Sequence, residues 1–245
     1  MNKTAEQRRG GNQNERRLAK LRERVVTCRK CPRLVVYREQ IARTKRRAYR
    51  DWTYWGRPVP GFGDAQAKLF IIGLAPGAHG ANRTGRMFTG DRSGDFLYAQ
   101  LYRAGFASQP TSASADDGLA LHDAYISAAV RCAPQDNKPL PAEIHNCSGY
   151  LEEELDLLRP RAVLALGAIA FDTYLRMLVR RGQIASRAPY RFAHGVECQL
   201  PDGLPRLFAC YHPSQQNTQT GRLTPAMFFG VLRRIRRTLE NSSAN

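Results

Sequence analysis

The 245-residue sequence predicts a single α/β domain in three layers, a four-stranded parallel sheet with helices on both faces. Short apolar, β-branched runs alternate four times with longer amphipathic runs, a pattern typical of parallel strands joined by helical crossovers. Each apolar run also breaks into glycine, proline or polar residues at its C-terminal end, as strands do where they leave a sheet. Both observations therefore favour one fold class.

The predicted elements follow one another regularly along the chain. The apolar runs predict strands over 69–73, 124–132, 161–167 and 207–211. Helices are predicted over 15–26, 33–48, 94–104 and 141–158, after the third strand to about residue 180, and from Thr224-Pro225 to about residue 239. Polar, basic residues 1–15 predict a disordered tail, followed by one domain over 16–240 and a short tail over 241–245.

The charge balance indicates the kind of partner. There are 38 Lys and Arg residues against 21 Asp and Glu, a net charge of +17, which favours a polyanion. No apolar run approaches the roughly 20 residues that span a bilayer, so we expect no membrane partner. The N-terminal residues have no apolar stretch typical of a secretory signal, which favours an intracellular protein, where disulfides are rare.

The segment after the first strand predicts a binding site. Ligands of open α/β sheets bind where loops leave the carboxyl ends of the strands, and this loop is long and rich in glycine. The alternative is a mobile surface loop with ordinary turn chemistry, although long loops within compact domains are usually functional. Its polar and aromatic residues suit a flat, polar ligand: His79, Asn82, Arg83, Arg86, Phe88 and Asp91.

Four of the six cysteines form a candidate metal site. Cys28 and Cys31 are spaced C-x₂-C, which turns two thiolates toward one centre, and Cys132 and Cys147 supply two more. Zinc and an iron–sulfur cluster fit this count equally, and spacing alone does not choose between them. Cys210 lies in an apolar run and is interpreted as a small buried hydrophobe.

Three motifs carry a resemblance to a known family. They are GLAPGAHGANRTGRMFTGD over 73–91, VRCAPQDNKP over 130–139 and HPS over 212–214. Together they resemble the uracil-DNA glycosylase superfamily, most closely its family 5, the type-b enzymes, from about residue 27 to residue 239. The resemblance implies the four-stranded parallel sheet and a [4Fe–4S] cluster on the four cysteines.

The resemblance also implies a reaction and its setting. It implies a monofunctional enzyme, expected as a monomer, that removes deaminated bases (uracil and also hypoxanthine) from double-stranded and single-stranded DNA and leaves an abasic site. We expect it in the cytoplasm of a prokaryote, associated with the nucleoid. The alternative is a non-catalytic iron–sulfur protein that binds nucleic acid, in which Ala75 marks a lost activity.

The residues suggest roles in that reaction. A target base must be flipped out of the duplex into a pocket, where Phe88 would stack on it and His212 would donate a hydrogen bond to the departing base. Superfamily members with a strong base have a carboxylate where this chain has Ala75, so Asn82 is predicted to hold the water, with Asp91 as runner-up. Asp91 could instead only cap a helix, and Asn137, assigned to the base edge or the water, could only form a turn. The residues predicted to line the base pocket are Ala75, Gly77, His79 and Phe88.

Two further groups are predicted to contact DNA. In the loop after the last strand, Gln215, Gln216 and Asn217 would fill the space that the base vacates, with Arg222 and Leu223 behind them and Leu223 as a possible apolar wedge. Basic residues would contact phosphates, although each one alone is more often a solvated charge. These are Arg83, Arg86, Arg92, Arg131 and Lys138.

Overall fold

The computed structural model describes residues 3–241 of the chain, with side chains described from residue 13 onward. Six strands form one sheet: β1 (Phe62–Gly63), β2 (Leu69–Gly73), β3 (Ala124–Ala128), β4 (Ala162–Leu166), β5 (Glu197–Cys198) and β6 (Arg206–Cys210). The helices are α1 (Lys3–Val26), α2 (Pro32–Thr44), α3 (Ala81–Thr84), α4 (Arg92–Arg103), α5 (Pro141–Leu158), α6 (Ala168–Arg180), α7 (Gln215–Gln219) and α8 (Pro225–Asn241).

The sheet has the strand order β1-β3-β2-β4-β6-β5. Its four central strands, β3, β2, β4 and β6, are parallel, which confirms the predicted four-stranded parallel core. Two strands of two residues each were not predicted, and they pair antiparallel on the outer edges. The full sheet therefore has six strands, because short loop segments extend the parallel core on both sides.

The strands alternate between two apolar cores. In β2, Leu69 and Ile71 pack on one face with α4 and α8, whereas Phe70 and Ile72 pack on the other face with α1, α5 and α6. All four side chains are fully buried, since helices cover both faces of the sheet. Burial on both faces explains why the strands appear in the sequence as continuous apolar runs.

The N-terminal helix differs from its predicted extent. We expected a helix over 15–26 after a disordered tail over 1–15. Instead α1 begins at Lys3, so it includes most of the segment that was expected to be disordered. Asn14 links α1 to α5, because its side-chain amide donates a hydrogen bond to the carbonyl of Leu157 at 3.1 Å. Residues 1–2 and most of the tail expected over 241–245 lie outside the described residues, and the domain limits of 16 and 240 stay a prediction.

Two smaller boundaries also differ. The strand predicted over 124–132 ends at Ala128, after which the chain leaves the ladder toward Cys132. The loop predicted after the last strand contains α7, whose first turn is capped by Ser214. No helix in the part of the chain that the structure describes is long and apolar enough to cross a membrane.

Candidate functional site

The candidate site lies at the carboxyl edge of the central strands. From β2 the chain crosses to β3 on one side, and it later returns to β4 on the other side, so the crossovers diverge between β2 and β4. Ligands of doubly wound sheets bind at such a switch point. The loops that follow β2 and β6 meet there, and they bring together Phe88 and His212, which are 124 positions apart in the sequence.

Phe88 and His212 form one wall of the site. Their ring centroids lie 5.7 Å apart with an angle of 31° between the planes. The Phe88 ring lies over the end of β2, where a Cβ on Gly73 would come within 2.8 Å of it, so only glycine fits there. Phe88 itself has a φ of +53°, an uncommon conformation for a bulky residue. The loop holds this strained conformation to place an aromatic face at the site.

His212 is held as a neutral imidazole. Burial lowers its pKa to about 4, so the ring carries no charge near pH 7. A neutral imidazole has one N–H donor and one acceptor nitrogen. Its backbone is fixed by Asn217, whose side-chain amide donates to the His212 carbonyl at 2.9 Å. Asn217, predicted to fill the space of the extruded base, is thus partly engaged within its own loop.

Asp91 combines a structural contact with a position inside the site loop. It caps α4, because its Oδ1 accepts a hydrogen bond from the Gly94 N–H at 3.0 Å. Its Oδ2 lies against Gly77 and Gly80, and a Cβ on Gly80 would come within 2.0 Å of it. Burial raises the pKa of this carboxyl, although the backbone N–H groups of α4 act in the opposite direction. The helix-cap interpretation is therefore confirmed, and one carboxylate oxygen still faces the loop.

Asn82, predicted to hold the water, is fully buried in α3. Its amide nitrogen is used by the fold, since it lies 3.3 Å from the Arg38 carbonyl and 3.4 Å from the Ala78 carbonyl. Its Oδ1 is buried without a hydrogen-bond partner among the described residues. The side chain thus anchors the loop, and only Oδ1 remains to accept a further hydrogen bond.

Two further residues predicted for the pocket, His79 and Ala75, lie in the loop after β2. His79 is half-buried, and its Nδ1 lies 3.1 Å from the Tyr54 hydroxyl. Burial, followed by the charges of Arg46 and Arg83, lowers the pKa of His79. Ala75 is half-buried and carries no polar group.

Asn137 is exposed in a short 3₁₀ turn over Gln135–Asn137. Asp136 and Asn137 have φ values of +53° and +56°, a left-handed pair that asparagine and aspartate tolerate better than most residues. The backbone therefore matches the turn alternative. A role for Asn137 at the base edge or the water stays a prediction.

Arg83, predicted to contact phosphate, is buried inside the site loop instead. It donates from Nε to the His79 carbonyl at 2.8 Å and from Nη2 to the Gly90 carbonyl at 2.7 Å. Its guanidinium also lies 4.0 Å from the ring centroid of Tyr49 and 4.1 Å from that of Trp52. Its charge is used to hold the loop together, so it is not presented to a ligand outside.

Two more arginines predicted to contact phosphate are buried in ion pairs. Arg86 binds both carboxylate oxygens of Asp117, at 2.8 and 2.9 Å. Arg131 binds Glu154 at 2.6 Å, with both side chains 1% exposed, and Ser127 donates to the same carboxylate oxygen. Neither cation faces solvent, because each compensates a carboxylate inside the fold. Nothing in the sequence pattern identified Asp117 or Glu154 as partners.

The loop after β6 presents amides rather than an apolar wedge. Gln215 and Gln216 are exposed on α7, as predicted for residues that contact DNA. Arg222 is exposed and lies over the Tyr211 ring at 4.6 Å. Leu223, predicted as a possible wedge, is 1% exposed and packs in the core with α8, so it does not protrude from the loop. Arg92 and Lys138 are exposed.

The four predicted metal-ligating cysteines lie together on the flank of the sheet, near the start of α2. Their thiols are close enough to influence one another's pKa, although the described residues contain no three His, Cys, Asp or Glu side chains grouped as a single-ion site. Each sulfur has a polar donor beside it. The pairs are Arg38 Nη1 with Cys132 at 3.0 Å, Asn146 Nδ2 with Cys31 at 3.6 Å, the Arg131 backbone N–H with Cys147, and the Tyr150 hydroxyl with Cys28.

This donor set fits an anionic group held by thiolates. Burial raises the pKa of Cys132 to about 12 and that of Cys147 to about 11, so these thiols would keep their protons without a metal. Arg38 Nε and two nitrogens of Arg131 are buried with no hydrogen-bond partner within residues 3–241. Buried N–H donors without a hydrogen-bond partner are costly, and the sulfur atoms of a cluster held by these cysteines would offer them acceptors. The residues thus fit a cluster with cysteine ligands.

Comparison with known proteins agrees with this fold and site. The model of the uracil DNA glycosylase superfamily matches residues 60–236. The chain is 55% identical over 218 residues to a type-5 uracil-DNA glycosylase of Mycobacterium leprae, covering 88% of this chain and 93% of that protein. It is 51% identical over 214 residues to the type-5 enzyme of Thermus thermophilus, covering 87% and 94% respectively. A type-4 uracil-DNA glycosylase of Pyrobaculum aerophilum is 30% identical over 223 residues.

Fold, site and comparisons together define a class. The chain belongs to the uracil-DNA glycosylase superfamily, as its three motifs predicted. Within the superfamily, it is more similar to the type-5 relatives, at 47–55% identity, than to the type-4 relatives, at 27–30%.

Proposed function

We propose that this protein is a DNA repair enzyme that hydrolyses the N-glycosidic bond between uracil and deoxyribose in DNA and leaves an abasic site. The observation that carries the proposal is the pair of Phe88 and neutral His212 at the carboxyl edge of the sheet. An aromatic face can receive an extruded base, and a donor beside it can bind the oxygen on which negative charge develops. The names of the type-5 relatives support the same reaction.

In the proposed mechanism, His212 stabilises the leaving group. As the bond to the sugar lengthens, electrons move onto the base, and an imidazole N–H can donate to its carbonyl oxygen. A preorganised donor of this kind contributes roughly 3–4 kcal/mol to transition-state stabilisation. Because the ring is neutral, it stabilises the departing anion by hydrogen bonding and keeps its own proton.

Asp91 is better suited than Asn82 to act on the water, although Asn82 was the first choice from the sequence. The Asp91 Oδ2 faces the loop, whereas the amide nitrogen of Asn82 is committed to backbone carbonyls. The raised pKa of Asp91 also brings the carboxyl nearer to the range in which it can accept a proton at neutral pH. Asn82 would then fix the loop and offer at most its Oδ1 to the same water.

Asp91→Asn tests this assignment cleanly. Asparagine caps helices about as well as aspartate, so α4 should keep its start and the melting temperature should change by less than about 2 °C. We expect single-turnover cleavage of a uracil-containing duplex to fall by about 10²-fold, since an amide cannot accept the proton. Full activity of Asp91→Asn, together with a large loss of activity in Asn82→Ala, would assign the positioning of the water to Asn82 instead.

The substrate range is proposed to include hypoxanthine and related deaminated bases. Residue 128, at the end of β3, is an alanine and offers no polar group, and Asn137 is exposed in a turn. Few side chains of the site can therefore form hydrogen bonds that select one base over another. A pocket with fewer fixed donors should tolerate several bases. A single-turnover panel of uracil, hypoxanthine, xanthine and undamaged control duplexes checks this, and cleavage of uracil alone would contradict it.

The cofactor is proposed to be a [4Fe–4S] cluster held by Cys28, Cys31, Cys132 and Cys147. When bound, it would cross-link the start of α2, the segment after β3 and α5, and so supply a structural staple. The donors beside each sulfur and the unpaired nitrogens of Arg38 and Arg131 support it. Purified protein should contain about four iron atoms per chain. Folded, fully active protein with one zinc and no iron would contradict the proposal.

A binding protein without catalysis is the alternative, motivated by Ala75. Incubation of the protein with a uracil-containing oligonucleotide, followed by alkali, separates the two, because only an abasic site breaks under alkali. Strand breaks are expected for both single-stranded and double-stranded substrates.

We further propose that the protein acts as a monomer on the genome in the cytoplasm, and light scattering of the purified protein checks its oligomeric state.

A further inference from the structure

A basic segment beside the site has no part in the mechanism above. We define it as residues 43–52, from the last turn of α2 to Trp52. Four of its arginines are exposed, and within the segment the single acidic residue, Asp51, approaches only Arg50, at 3.8 Å. The exposed arginines are Arg43, Arg46, Arg47 and Arg50.

The basic segment has a fixed shape. Lys45, at a φ of +53°, turns the chain at the end of α2, and its Nζ donates to the Arg50 carbonyl at 3.0 Å. The Tyr49 N–H donates to the Arg46 carbonyl at 2.8 Å, which closes a 3₁₀ turn over Arg47–Tyr49. The exposed arginines are therefore carried on an ordered turn, which lowers the conformational entropy lost when they bind.

The basic segment is attached directly to the site loop. The Arg83 guanidinium lies against the rings of Tyr49 and Trp52 while it binds the carbonyls of His79 and Gly90. The charge of Arg46 reaches the site, since it helps to lower the pKa of His79. The exposed positive charge thus stands beside the site loop.

We propose that the basic segment is a docking surface for the DNA backbone, which binds phosphates beside the extruded nucleotide. This inference rests on the proposed function. Three of the five basic residues that the sequence assigned to phosphate, Arg83, Arg86 and Arg131, are buried and bind groups inside the fold, so they are not available to phosphates. Arg92 and Lys138 remain exposed, and the basic segment supplies further cations beside the site loop. Arg46, Arg47 and Arg50 are exposed and are held in one turn that lies against the site loop through Tyr49. Trp52, 39% exposed, adds an aromatic face beside them.

The test is the salt dependence of binding to an undamaged duplex, compared between the wild type and the triple variant Arg46→Ala/Arg47→Ala/Arg50→Ala. Removal of each cation that binds a phosphate should reduce the slope of log K against log salt by about 0.9, so a reduction of about 2–3 is expected. Affinity at 0.1 M salt should fall about 10- to 100-fold.

Two control variants make the result specific. Arg16→Ala/Arg17→Ala/Lys20→Ala removes three positive charges, as the test variant does, but from exposed positions of α1. These positions follow Asn14, which binds the Leu157 carbonyl at the end of α5. The variant Arg46→Lys/Arg47→Lys/Arg50→Lys keeps the charge and should keep the slope. Equal slopes in the two alanine triples would overturn the docking surface. Because binding is measured on undamaged DNA, a wild type that cleaves no uracil contradicts the function and not this inference.

Discussion

The two loops that meet at the site are built differently. The loop after β2 holds its charged side chains inside, where Arg83 and Arg86 bind carbonyls and a carboxylate of the same domain. The loop after β6 shows Gln215 and Gln216 to solvent, and its backbone is held by the side chains of Ser214 and Asn217. The loop after β2 thus holds its part of the wall, Phe88, through buried charged side chains, whereas the loop after β6 adds His212 to the same wall and presents amides to solvent.

The difference shows where each kind of precision is needed. In the proposed mechanism an extruded base stacks on Phe88 within a narrow range of positions. The loop that carries Phe88 is held by the buried Arg86–Asp117 ion pair, and Phe88 itself has a strained backbone. The duplex outside has no fixed sequence, so exposed amides can form hydrogen bonds with whichever groups are present. The following predictions test this division, beginning with the largest effect.

Replacement of His212 by alanine should have the largest effect on activity. Loss of one preorganised donor lowers single-turnover cleavage by about 10²- to 10³-fold, whereas DNA affinity should stay nearly level. His122→Ala is the matched control, because His122 is exposed before β3, at the opposite edge of the sheet. Unchanged cleavage in His212→Ala would show that His212 does not stabilise the departing base.

Replacement of Arg86 by methionine should have the largest effect on stability. It leaves Asp117 partly buried without its bidentate partner, at a cost of about 3 kcal/mol in the free energy of unfolding. Arg222→Met, in the loop after β6, should cost less than about 0.5 kcal/mol because its guanidinium is exposed. Urea unfolding of both variants measures the contrast. Arg86→Met/Asp117→Asn removes the unpaired charge and keeps a side-chain oxygen that can accept from the backbone N–H groups of the same turn, so it should be more stable than Arg86→Met. Equal stability of these two variants would show that the unpaired carboxylate is not the cause.

The pH dependence of stability should report the neutral His212. Its pKa falls from 6.5 to about 4 on folding, so between these values the unfolded chain binds a proton that the folded chain does not. The free energy of unfolding should therefore fall as the pH falls from 6.5 to 4, by at most about 3 kcal/mol, and this loss should level off below pH 4.

His79 and His194 act with the same sign in this window, since burial lowers the pKa of each. The raised pKa of Asp91 acts with the opposite sign, because its folded form holds a proton more tightly than the unfolded chain. The His212→Gln variant isolates the contribution of His212. An equal slope in the variant and the wild type would show that this imidazole is not held neutral by the fold.

The smallest effect is expected from the exposed amides. Gln215→Ala/Gln216→Ala should weaken binding to uracil-containing duplex about two- to fivefold and leave stability unchanged, because neither side chain has a buried contact. Titration with fluorescent duplex measures the affinity. Gln219→Ala, exposed at the end of α7, serves as the matched control. A loss of melting temperature in the double variant would show that α7 needs these side chains for its own structure.

The sequence predicted the layers and most of the elements correctly, because burial on both faces imposes continuous apolar runs. It also placed His212 and the loop after β2 at one edge of the sheet, since parallel strands end together. It could not separate buried arginines from exposed ones. Arg86 and Arg131 owe their burial to Asp117 and Glu154, which are 31 and 23 positions away, and no local pattern encodes such pairs. Leu223 was considered as a wedge because side chains that intercalate into DNA are commonly apolar, whereas in the structure Leu223 packs in the core with α8.

The uncharged state of His212 has a consequence for a cell under acid stress. Cytosine continues to deaminate whatever the internal acidity, so removal of the product is most useful when it does not depend on a group that titrates near neutrality. An imidazole that gains its proton only near pH 4 is unchanged by a drop of one or two pH units inside the cell. In the proposed mechanism, lesion removal slows on acidification as Asp91, at the start of α4, takes up its proton.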